Sequence, residues 1–195
     1  MKIEEKMKIA LVGTHNSGKT TLFNLMKKDK MFKDYYFVGE LIRELNEKGF
    51  GINENAKDDT QLALALLNYY YSTKKDYDTR IGKVIDRCLL DNYIYAKYLF
   101  NKGIVSKKVV DLIEPLVNES LYYFDFIFLC TPEFEMEYDG QRNNDKNFQM
   151  EIHQMFLDYI KHDIDCEHKV KILKGGSKER LEIVKQFIYT AEMGW

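Results

Sequence analysis

The feature that most constrains the fold is an eight-residue stretch between a short apolar run and a helix-like run. It reads Gly-Thr-His-Asn-Ser-Gly-Lys-Thr over residues 13–20 and matches the pattern GxxxxGK[ST]. Glycines in such a stretch let the backbone wrap closely around phosphate oxygens, and consecutive N–H groups point inward as a nest for an anion. A helix that begins near Gly18 adds the positive end of its dipole. The pattern therefore predicts a site for a nucleoside triphosphate.

Individual residues of this loop are expected to bind different parts of the nucleotide. Lys19 is expected to reach the outer phosphates, and the Thr20 hydroxyl is expected to bind Mg²⁺. His15 stands at a variable position and is interpreted as a spacer without a chemical role of its own. The residues predicted to hold the nucleotide are Gly13, Thr14, His15, Asn16, Ser17, Gly18, Lys19, Thr20 and Thr21.

Short apolar runs alternate with longer helix-like segments along the rest of the chain. Apolar residues that recur every three to four positions predict helices, and short apolar runs bounded by polar residues predict buried strands. Strands separated by helices predict a parallel sheet that is covered on both faces. The predicted strands are 8–12, 35–39, 83–86, 124–130 and 170–173, and the predicted helices are 19–30, 40–48, 59–78, 92–102, 106–122, 147–163 and 177–191.

Composition narrows the class of protein. With 195 residues, of which 45% are hydrophobic, the chain can bury a full core, so we expect one domain over residues 1–195 and no global disorder. Lys plus Arg number 29 and Asp plus Glu 31, a balance that argues against extended nucleic-acid binding. The longest apolar runs are too short for a membrane span, residues 1–9 do not resemble a signal peptide, and the three cysteines show no CxxC pattern. These features predict a cytoplasmic protein without membrane association.

Charged residues follow two more predicted strands at their carboxyl ends, where parallel sheets bind ligands. Glu40 follows the second strand, and Arg43 lies one helical turn further, so the two side chains share a face. We expect Glu40 to be the base or the orienting group for an acceptor hydroxyl. Asp86 ends the third strand, where it can hold the shell of a Mg²⁺ ion, and Arg87 follows it.

The residue type at position 87 helps to distinguish an enzyme that transfers a phosphoryl group from one that hydrolyses the nucleotide. Arg87 stands where an ATPase would carry a water-activating Glu, which favours transfer to a bound acceptor. A GTPase is disfavoured, because the [NT]KxD pattern occurs only inside a predicted helix, at 73–76, and no Asp is followed three residues later by Gly. A nucleotide-dependent switch, either an ATPase or a GTPase that regulates a partner, remains the alternative. A polynucleotide 5′-kinase is a weaker one.

A polar segment over residues 131–147 has the length of a lid. It carries Arg142, which is expected to close over the triphosphate and neutralise charge that develops during transfer. On the acceptor side, Gln61 belongs to the predicted helix that also carries three consecutive tyrosines, 69–71. A tyrosine near the acceptor, among these three and those at positions 93, 95, 122 and 123, could stack on a base, and Gln61 could read the edge of that base. The alternative is that these tyrosines are amphipathic residues at the edge of the core.

With these residues in place, the chain resembles the P-loop kinases. Within them it is similar to the small AAA-type kinase domains related to the ribosylnicotinamide kinase half of bifunctional regulators of NAD biosynthesis. The resemblance rests on the phosphate loop, Val38-Gly-Glu-Leu-Ile-Arg43, Val84-Ile-Asp-Arg87 and Asp139-Gly-Gln-Arg142. It implies an α/β three-layer sandwich with a five-stranded parallel sheet in the order 2-3-1-4-5, a small lid, ATP with Mg²⁺, and a nucleoside-type hydroxyl as acceptor.

The resemblance also implies roles for single residues. Asp86-Arg87 is similar as well to thymidylate-type kinases, whose acceptor is a monophosphate held by arginine, so nucleoside and nucleotide acceptors both remain open. The acceptor is a small molecule in either case, and a homodimer is an assembly that the sequence leaves open. Carried over, the resemblance implies that Glu40 is the base or acceptor-orienting residue, Arg43 an acceptor contact, Asp86 a magnesium-side or acceptor acid, and Arg142 the lid cation. Together with the residues interpreted directly, the expected roles are catalytic for Lys19, Glu40, Asp86 and Arg142, acceptor-binding for Glu40, Arg43, Gln61 and Arg87, and metal-binding for Thr20 and Asp86.

Overall fold

A parallel sheet of five strands forms the centre of the computed structural model, which describes residues 6–51, 57–74, 81–133 and 146–193. The order of the strands is β2-β3-β1-β4-β5, and every neighbouring pair is parallel. The predicted order 2-3-1-4-5 is therefore confirmed. The strands are β1 (Lys8–Val12), β2 (Tyr35–Val38), β3 (Gly82–Asp86), β4 (Phe126–Cys130) and β5 (Val170–Leu173).

Seven α-helices in the described residues cover the two faces of this sheet. Alternate strand residues point to opposite faces, so Ala10 and Val12 join one apolar core while Ile9 and Leu11 join the other. Helices α1 and α7 pack on the second face, and the other five pack on the first. The helices are α1 (Lys19–Lys28), α2 (Leu41–Glu47), α3 (Asp58–Thr73), α4 (Leu89–Asn101), α5 (Lys107–Leu121), α6 (Lys146–His162) and α7 (Ser177–Glu192).

Among the described residues, two helix boundaries differ from the sequence-based expectation by three positions or more. Helix α3 ends at Thr73 and not at the predicted position 78. The other difference is the start of α4. The helix begins at Leu89, three residues before the predicted position 92. The Asp91 carboxylate accepts a hydrogen bond from the backbone N–H of Cys88 at 3.2 Å, which caps the first turn. Cysteine is not among the usual capping residues, so the sequence carried no clear signal for this start.

The sheet order places the predicted site residues at one edge. β1 lies between β3 and β4, and Leu11 of β1 pairs in register with Asp86 of β3. The loop that follows β1 therefore emerges beside the end of β3, and β2 brings Glu40 to the same edge. Within the described part of the chain, no helix has the length and apolar character that a membrane crossing requires.

Candidate functional site

The loop between β1 and α1 has the backbone geometry of an anion nest. Gly13, Asn16 and Gly18 adopt positive φ values of 133°, 51° and 81°. Gly13 has a second constraint, because a Cβ atom there would lie 2.7 Å from the carbonyl oxygen of Cys130. Left-handed residues turn successive N–H groups toward one point, where a phosphate oxygen would accept their hydrogen bonds.

Lys19 lies at the base of this loop and is 4% exposed. Its ammonium group donates to the carbonyl oxygen of Gly13 at 2.7 Å and to that of Thr14. Burial lowers the pKa of Lys19 to about 8, and the positive charge of Arg87 acts in the same direction. A small cavity of about 40 Å³ lies beside it, lined by residues 16–21 and Arg87. The cavity has the position expected for the terminal phosphates.

Thr20 and Asp86 form an oxygen pair next to this cavity. The Thr20 hydroxyl donates to Asp86 Oδ2 at 2.9 Å. Asp86 is 2% exposed, and its Oδ1 has no hydrogen-bond partner among the described residues. Burial raises the pKa of Asp86, while the charge of Lys19 lowers it. A hydroxyl and a carboxylate with a spare oxygen, both beside a phosphate site, are a donor set that fits Mg²⁺.

Arg87 connects the phosphate loop to Glu40. Its Nε donates to Glu40 Oε1 at 2.8 Å, and its Nη1 approaches Asp91 Oδ1 at 3.4 Å. The guanidinium carbon lies 5.4 Å from the ring centre of Tyr95. Arg87 has a φ of 74°, a conformation that is strained for a side-chain-bearing residue. The two carboxylates and the ring hold this strained arginine in place.

Asp91 was missed by the sequence reasoning. Its Oδ1 accepts a hydrogen bond from the N–H of Gly13 at 3.1 Å, so it ties the first glycine of the phosphate loop to the start of α4. Burial raises the pKa of Asp91 to about 6, and the charges of Arg87 and Lys19 oppose that shift. Arg87 and Asp91 are four positions apart, but both lie outside the predicted helix 92–102, so the sequence carried no signal for their contact.

Arg180 of α7 is a second residue that the sequence did not indicate. Its side chain is fully buried, and its guanidinium donates to three backbone carbonyl oxygens. The acceptors are Ser17 at 2.6 Å, Gly175 at 2.8 Å and Thr131 at 2.8 Å. This arginine therefore joins the phosphate loop to the segments that follow β4 and β5.

A larger cavity of about 320 Å³ opens beside the phosphate loop, between α2, α3, α4 and α6. Of the residues predicted to bind the acceptor, Glu40, Gln61 and Arg87 line it. Arg43 does not: its side chain is half exposed and donates to Glu40 Oε2 at 3.1 Å from outside. Tyr95, one of the tyrosines considered for stacking on a base, lines it as well. The lining residues that the sequence did not indicate include Leu41, Leu64, Asn68, Asp91, Asn92, Tyr98, Leu99, Lys102 and Phe148.

Two buried amides face each other in this cavity. Asn92 Nδ2 donates to Gln61 Oε1 at 2.7 Å, and Asn92 Oδ1 has no hydrogen-bond partner in the described part of the chain. The pair thus keeps an acceptor on Asn92 and an amide donor on Gln61. Reversing both amides leaves one donor and one acceptor again, so the pair offers both to a ligand in either orientation.

His15 also lines the cavity, although it belongs to the phosphate loop. Its ring stacks on Phe148 of α6 with 4.9 Å between the ring centres. Arg142 and most of the predicted lid, residues 134–145, lie outside the described residues. The segment Asp139-Gly-Gln-Arg142, on which part of the resemblance rests, lies there as well. Helix α6 begins at Lys146, close to the predicted end of the lid.

Comparisons with known proteins agree with this architecture. A family model described as an AAA domain matches residues 8–180, while no curated protein matches the sequence. The structure of NadR protein in complex with NR is similar with a TM-score of 0.72 and 19% identity over 96% of this chain and 52% of that chain. The chain thus spans about half the length of that NadR chain.

Two smaller kinases are similar over nearly their whole length. Deoxyadenosine kinase from M. mycoides has a TM-score of 0.62 and 14% identity over 95% of this chain and all of that one. Thymidylate kinase from Candida albicans has a TM-score of 0.62 and 15% identity over 96% of this chain and 93% of that one. At these identities the likeness shows the fold. The fold is that of the P-loop nucleotide kinases, as the resemblance implied.

Proposed function

The chain belongs to this AAA domain family, and from that membership and the geometry of the site we propose that it is a kinase. It transfers the γ-phosphoryl group of ATP, with Mg²⁺, to a hydroxyl group of a small nucleoside-like acceptor. One observation carries the proposal: a cavity of about 320 Å³, large enough for a small ligand, opens directly beside a formed phosphate loop. A hydrolase needs only a water molecule at that place.

The nucleotide is held by the loop after β1. Its N–H groups and the Lys19 ammonium would bind the β- and γ-phosphates, and the Thr20 hydroxyl and the Asp86 carboxylate would hold Mg²⁺. Bound Mg²⁺ neutralises charge on the phosphates. Arg87 borders both cavities and so lies where the phosphoryl group would cross from one to the other.

Glu40 is the residue that we assign to the acceptor hydroxyl. Its two carboxylate oxygens are oriented by Arg87 at 2.8 Å and by Arg43 at 3.1 Å. In the reaction the hydroxyl oxygen forms a bond to the γ-phosphorus, the bond from that phosphorus to the β–γ bridging oxygen breaks, and ADP leaves. Glu40 accepts the hydroxyl proton.

The charges around the cavity favour a nucleoside over a nucleotide as acceptor. Arg87 is already bracketed by Glu40 and Asp91, and the remaining charged lining residue, Lys102, is paired with Glu151 at 3.3 Å. A phosphate group on the acceptor would have to approach the two carboxylates that hold Arg87. Such a like-charge contact is unfavourable by several kcal/mol. A neutral ribose hydroxyl avoids it.

The rest of the lining fits a planar ring. Tyr95, Tyr98 and Phe148 supply aromatic surface, and the amide pair of Gln61 and Asn92 supplies one donor and one acceptor. A base or a ring carboxamide carries the complementary donor and acceptor along one edge. The match in shape and hydrogen bonding supports a nucleoside-like acceptor.

A transfer assay tests the proposal. Radiolabelled ATP is incubated with Mg²⁺ and with a panel of nucleosides, including nicotinamide riboside, and with the corresponding monophosphates. We expect at least one nucleoside to be phosphorylated with a kcat/KM at least ~10-fold above that of its monophosphate. Hydrolysis of ATP that no acceptor stimulates would contradict the kinase. Tighter binding of GTP than of ATP would favour a switch instead.

The variant Glu40→Gln separates catalysis from binding. We expect it to lower the rate of transfer by ~10²–10⁴-fold and to leave the Kd of AMP-PNP within about 3-fold of wild type, because Glu40 faces the acceptor and not the nucleotide. Glu44→Gln, which changes an exposed glutamate of α2, the helix that follows Glu40, is the matched control and should behave as wild type. A parallel loss of AMP-PNP binding in Glu40→Gln would show that Glu40 is structural.

A further inference from the structure

His15 differs from its neighbours in the phosphate loop by the direction of its side chain. Residues 16–21 line the small cavity for the phosphates. Of the loop residues 13–21, all of which the structure describes, His15 alone lines the larger acceptor cavity. Its side chain is buried within the wall of that cavity, since the residue is 6% exposed.

The imidazole ring of His15 forms one end of a row of aromatic side chains along the cavity, which we call the aromatic wall. It stacks on Phe148 with an interplanar angle of 23°, and Phe148 in turn contacts Tyr95 and Tyr98 with ring centres 6.2 Å and 4.8 Å away. The Nδ1 atom of His15 lies 3.4 Å from the Tyr95 hydroxyl and 3.3 Å from the hydroxyl of Thr14. His15 is thus the end of this wall that belongs to the phosphate loop.

The main chain of His15 is hydrogen-bonded to the two helices that carry the aromatic wall. Its N–H donates to the Tyr95 hydroxyl at 2.9 Å, and its carbonyl oxygen accepts from Gln149 Nε2 at 2.9 Å. Gln149 is 2% exposed and follows Phe148 on α6. A displacement of α4 or α6 would therefore act on the phosphate loop through the main chain of His15, in addition to the contact of Asp91 with Gly13.

From this geometry we infer that His15 determines acceptor specificity and positions the acceptor against the γ-phosphate. Its ring supplies part of the surface on which a planar acceptor group packs, and its backbone keeps that surface at a constant distance from the nucleotide. The inference rests on the function proposed above, because it takes the larger cavity to be the acceptor site. It replaces the spacer role expected from the loop pattern.

Two substitutions separate the ring surface from the hydrogen bond. His15→Phe keeps an aromatic ring to stack on Phe148 but removes the ring nitrogen. His15→Asn keeps a polar atom near the place of Nδ1 but removes the ring. We expect His15→Asn to raise the KM and the Kd of the nucleoside roughly 10-fold and His15→Phe to raise them about 3-fold, because the ring surface contributes more. His162→Asn, an exposed histidine at the end of α6, is the control.

Calorimetric titration is performed with adenosine, cytidine and nicotinamide riboside, each without nucleotide, and separately with AMP-PNP. We expect the Kd of AMP-PNP to stay within about 2-fold of wild type in both variants, because the loop keeps its own backbone contacts. Loss of nucleoside binding without loss of AMP-PNP binding supports the inference. Unchanged nucleoside binding in both variants overturns it, as does an equal loss of both ligands.

The binding measurement also distinguishes this inference from the proposed function. A wild-type protein that binds a nucleoside but transfers no phosphate contradicts the kinase, and the variants still test His15 through the Kd. A wild-type protein that binds none of the three nucleosides, with or without AMP-PNP, overturns both.

Discussion

The phosphate loop and the larger cavity, which we propose as the acceptor site, lie side by side but are built in opposite ways. The loop is one continuous stretch of eight residues, and its backbone has positive φ values at Gly13, Asn16 and Gly18. The cavity takes its lining from four helices and from the loop itself. A local site of this kind accepts the part that all triphosphates share, whereas an assembled site can vary its side chains and so select the acceptor.

Asp91 and Arg87 join the two sites. Asp91 holds Gly13 through its N–H at 3.1 Å, and Arg87 lies between Asp91 and Glu40. The variants below alter the loop, this junction and the outside of the cavity in turn. If the two sites are built in these different ways, the effects of the variants on binding and stability should decrease from the loop to the junction to the outside of the cavity.

Gly13→Ala should have the largest effect. The added Cβ would lie 2.7 Å from the Cys130 carbonyl oxygen, and φ at 133° suits only glycine, so the loop must move. We expect the Kd of AMP-PNP to rise at least ~100-fold and the free energy of unfolding to fall by about 2–4 kcal/mol. Calorimetry and urea unfolding measure the two quantities.

Gly103→Ala is the matched control for this variant. Gly103 has a φ of 73° but no atom within 4 Å of the place of its Cβ, so only the backbone strain remains. We expect a loss of stability of about 1 kcal/mol and unchanged binding of AMP-PNP. Nucleotide binding that survives in Gly13→Ala would show that the loop is less constrained than its geometry indicates.

Asp91→Asn should change how stability depends on pH. The pKa of Asp91 is raised from 3.8 to about 6, so the folded protein binds this proton more tightly than the unfolded chain does. Stability contributed by Asp91 is therefore full below pH 4 and is lost as the pH rises to about 6. We expect the difference in unfolding free energy, wild type minus variant, to fall by about 2–3 kcal/mol across this window.

Urea unfolding at a series of pH values measures that difference. Asp86 is present in both proteins, and its pKa is also raised by burial. Its contribution therefore cancels when the unfolding free energy of Asp91→Asn is subtracted from that of wild type. Asp111→Asn replaces an exposed aspartate of α5 and should leave the curve parallel to that of wild type. Parallel curves for Asp91→Asn as well would contradict a buried, ionised carboxylate at this junction.

Arg43→Ala should have the smallest effect. The side chain of Arg43 is 50% exposed and contacts Glu40 from outside the cavity. Exposed ion pairs contribute at most about 1 kcal/mol, so we expect unfolding to change by less than that and the KM for the nucleoside by less than ~3-fold. Steady-state kinetics measure the KM, and a rise above ~10-fold would show that Arg43 contacts the acceptor directly.

The sequence predicted the features that depend on neighbouring residues. The parallel sheet followed from the alternation of short apolar runs with helices, and the loop followed from its glycines and lysine. The strand order was implied by the resemblance to the P-loop kinases. Glu40, Asp86 and Arg87 were found because each stands at the end of a strand, and parallel strands bring their ends to one edge. Arg142 lies outside the described residues, and its role stays a prediction.

Tertiary contacts account for the residues that the sequence could not indicate. Asp91 serves the loop only because Cys88, an unusual capping residue, starts α4 early. The side-chain direction of His15 depends on α6, whose Gln149 is 134 positions away in the chain. Asn92 can be recognised as a site residue only from its hydrogen bond of 2.7 Å to Gln61 of α3. The spacing of neighbouring residues in the sequence does not indicate any of these contacts.

The contact of Arg180 with the phosphate loop has a consequence for how the protein folds. Ser17 and Arg180 are separated by 163 positions, yet the Arg180 guanidinium donates to the Ser17 carbonyl oxygen at 2.6 Å. A contact between residues so far apart in sequence raises the contact order, which slows folding. During synthesis the phosphate loop leaves the ribosome early, whereas Arg180 is among the last residues of the described chain to be made. The Ser17–Arg180 contact can therefore form only after α7 has been synthesised, and we expect a ribosome-bound chain that ends before Arg180 to bind AMP-PNP more weakly than the full chain.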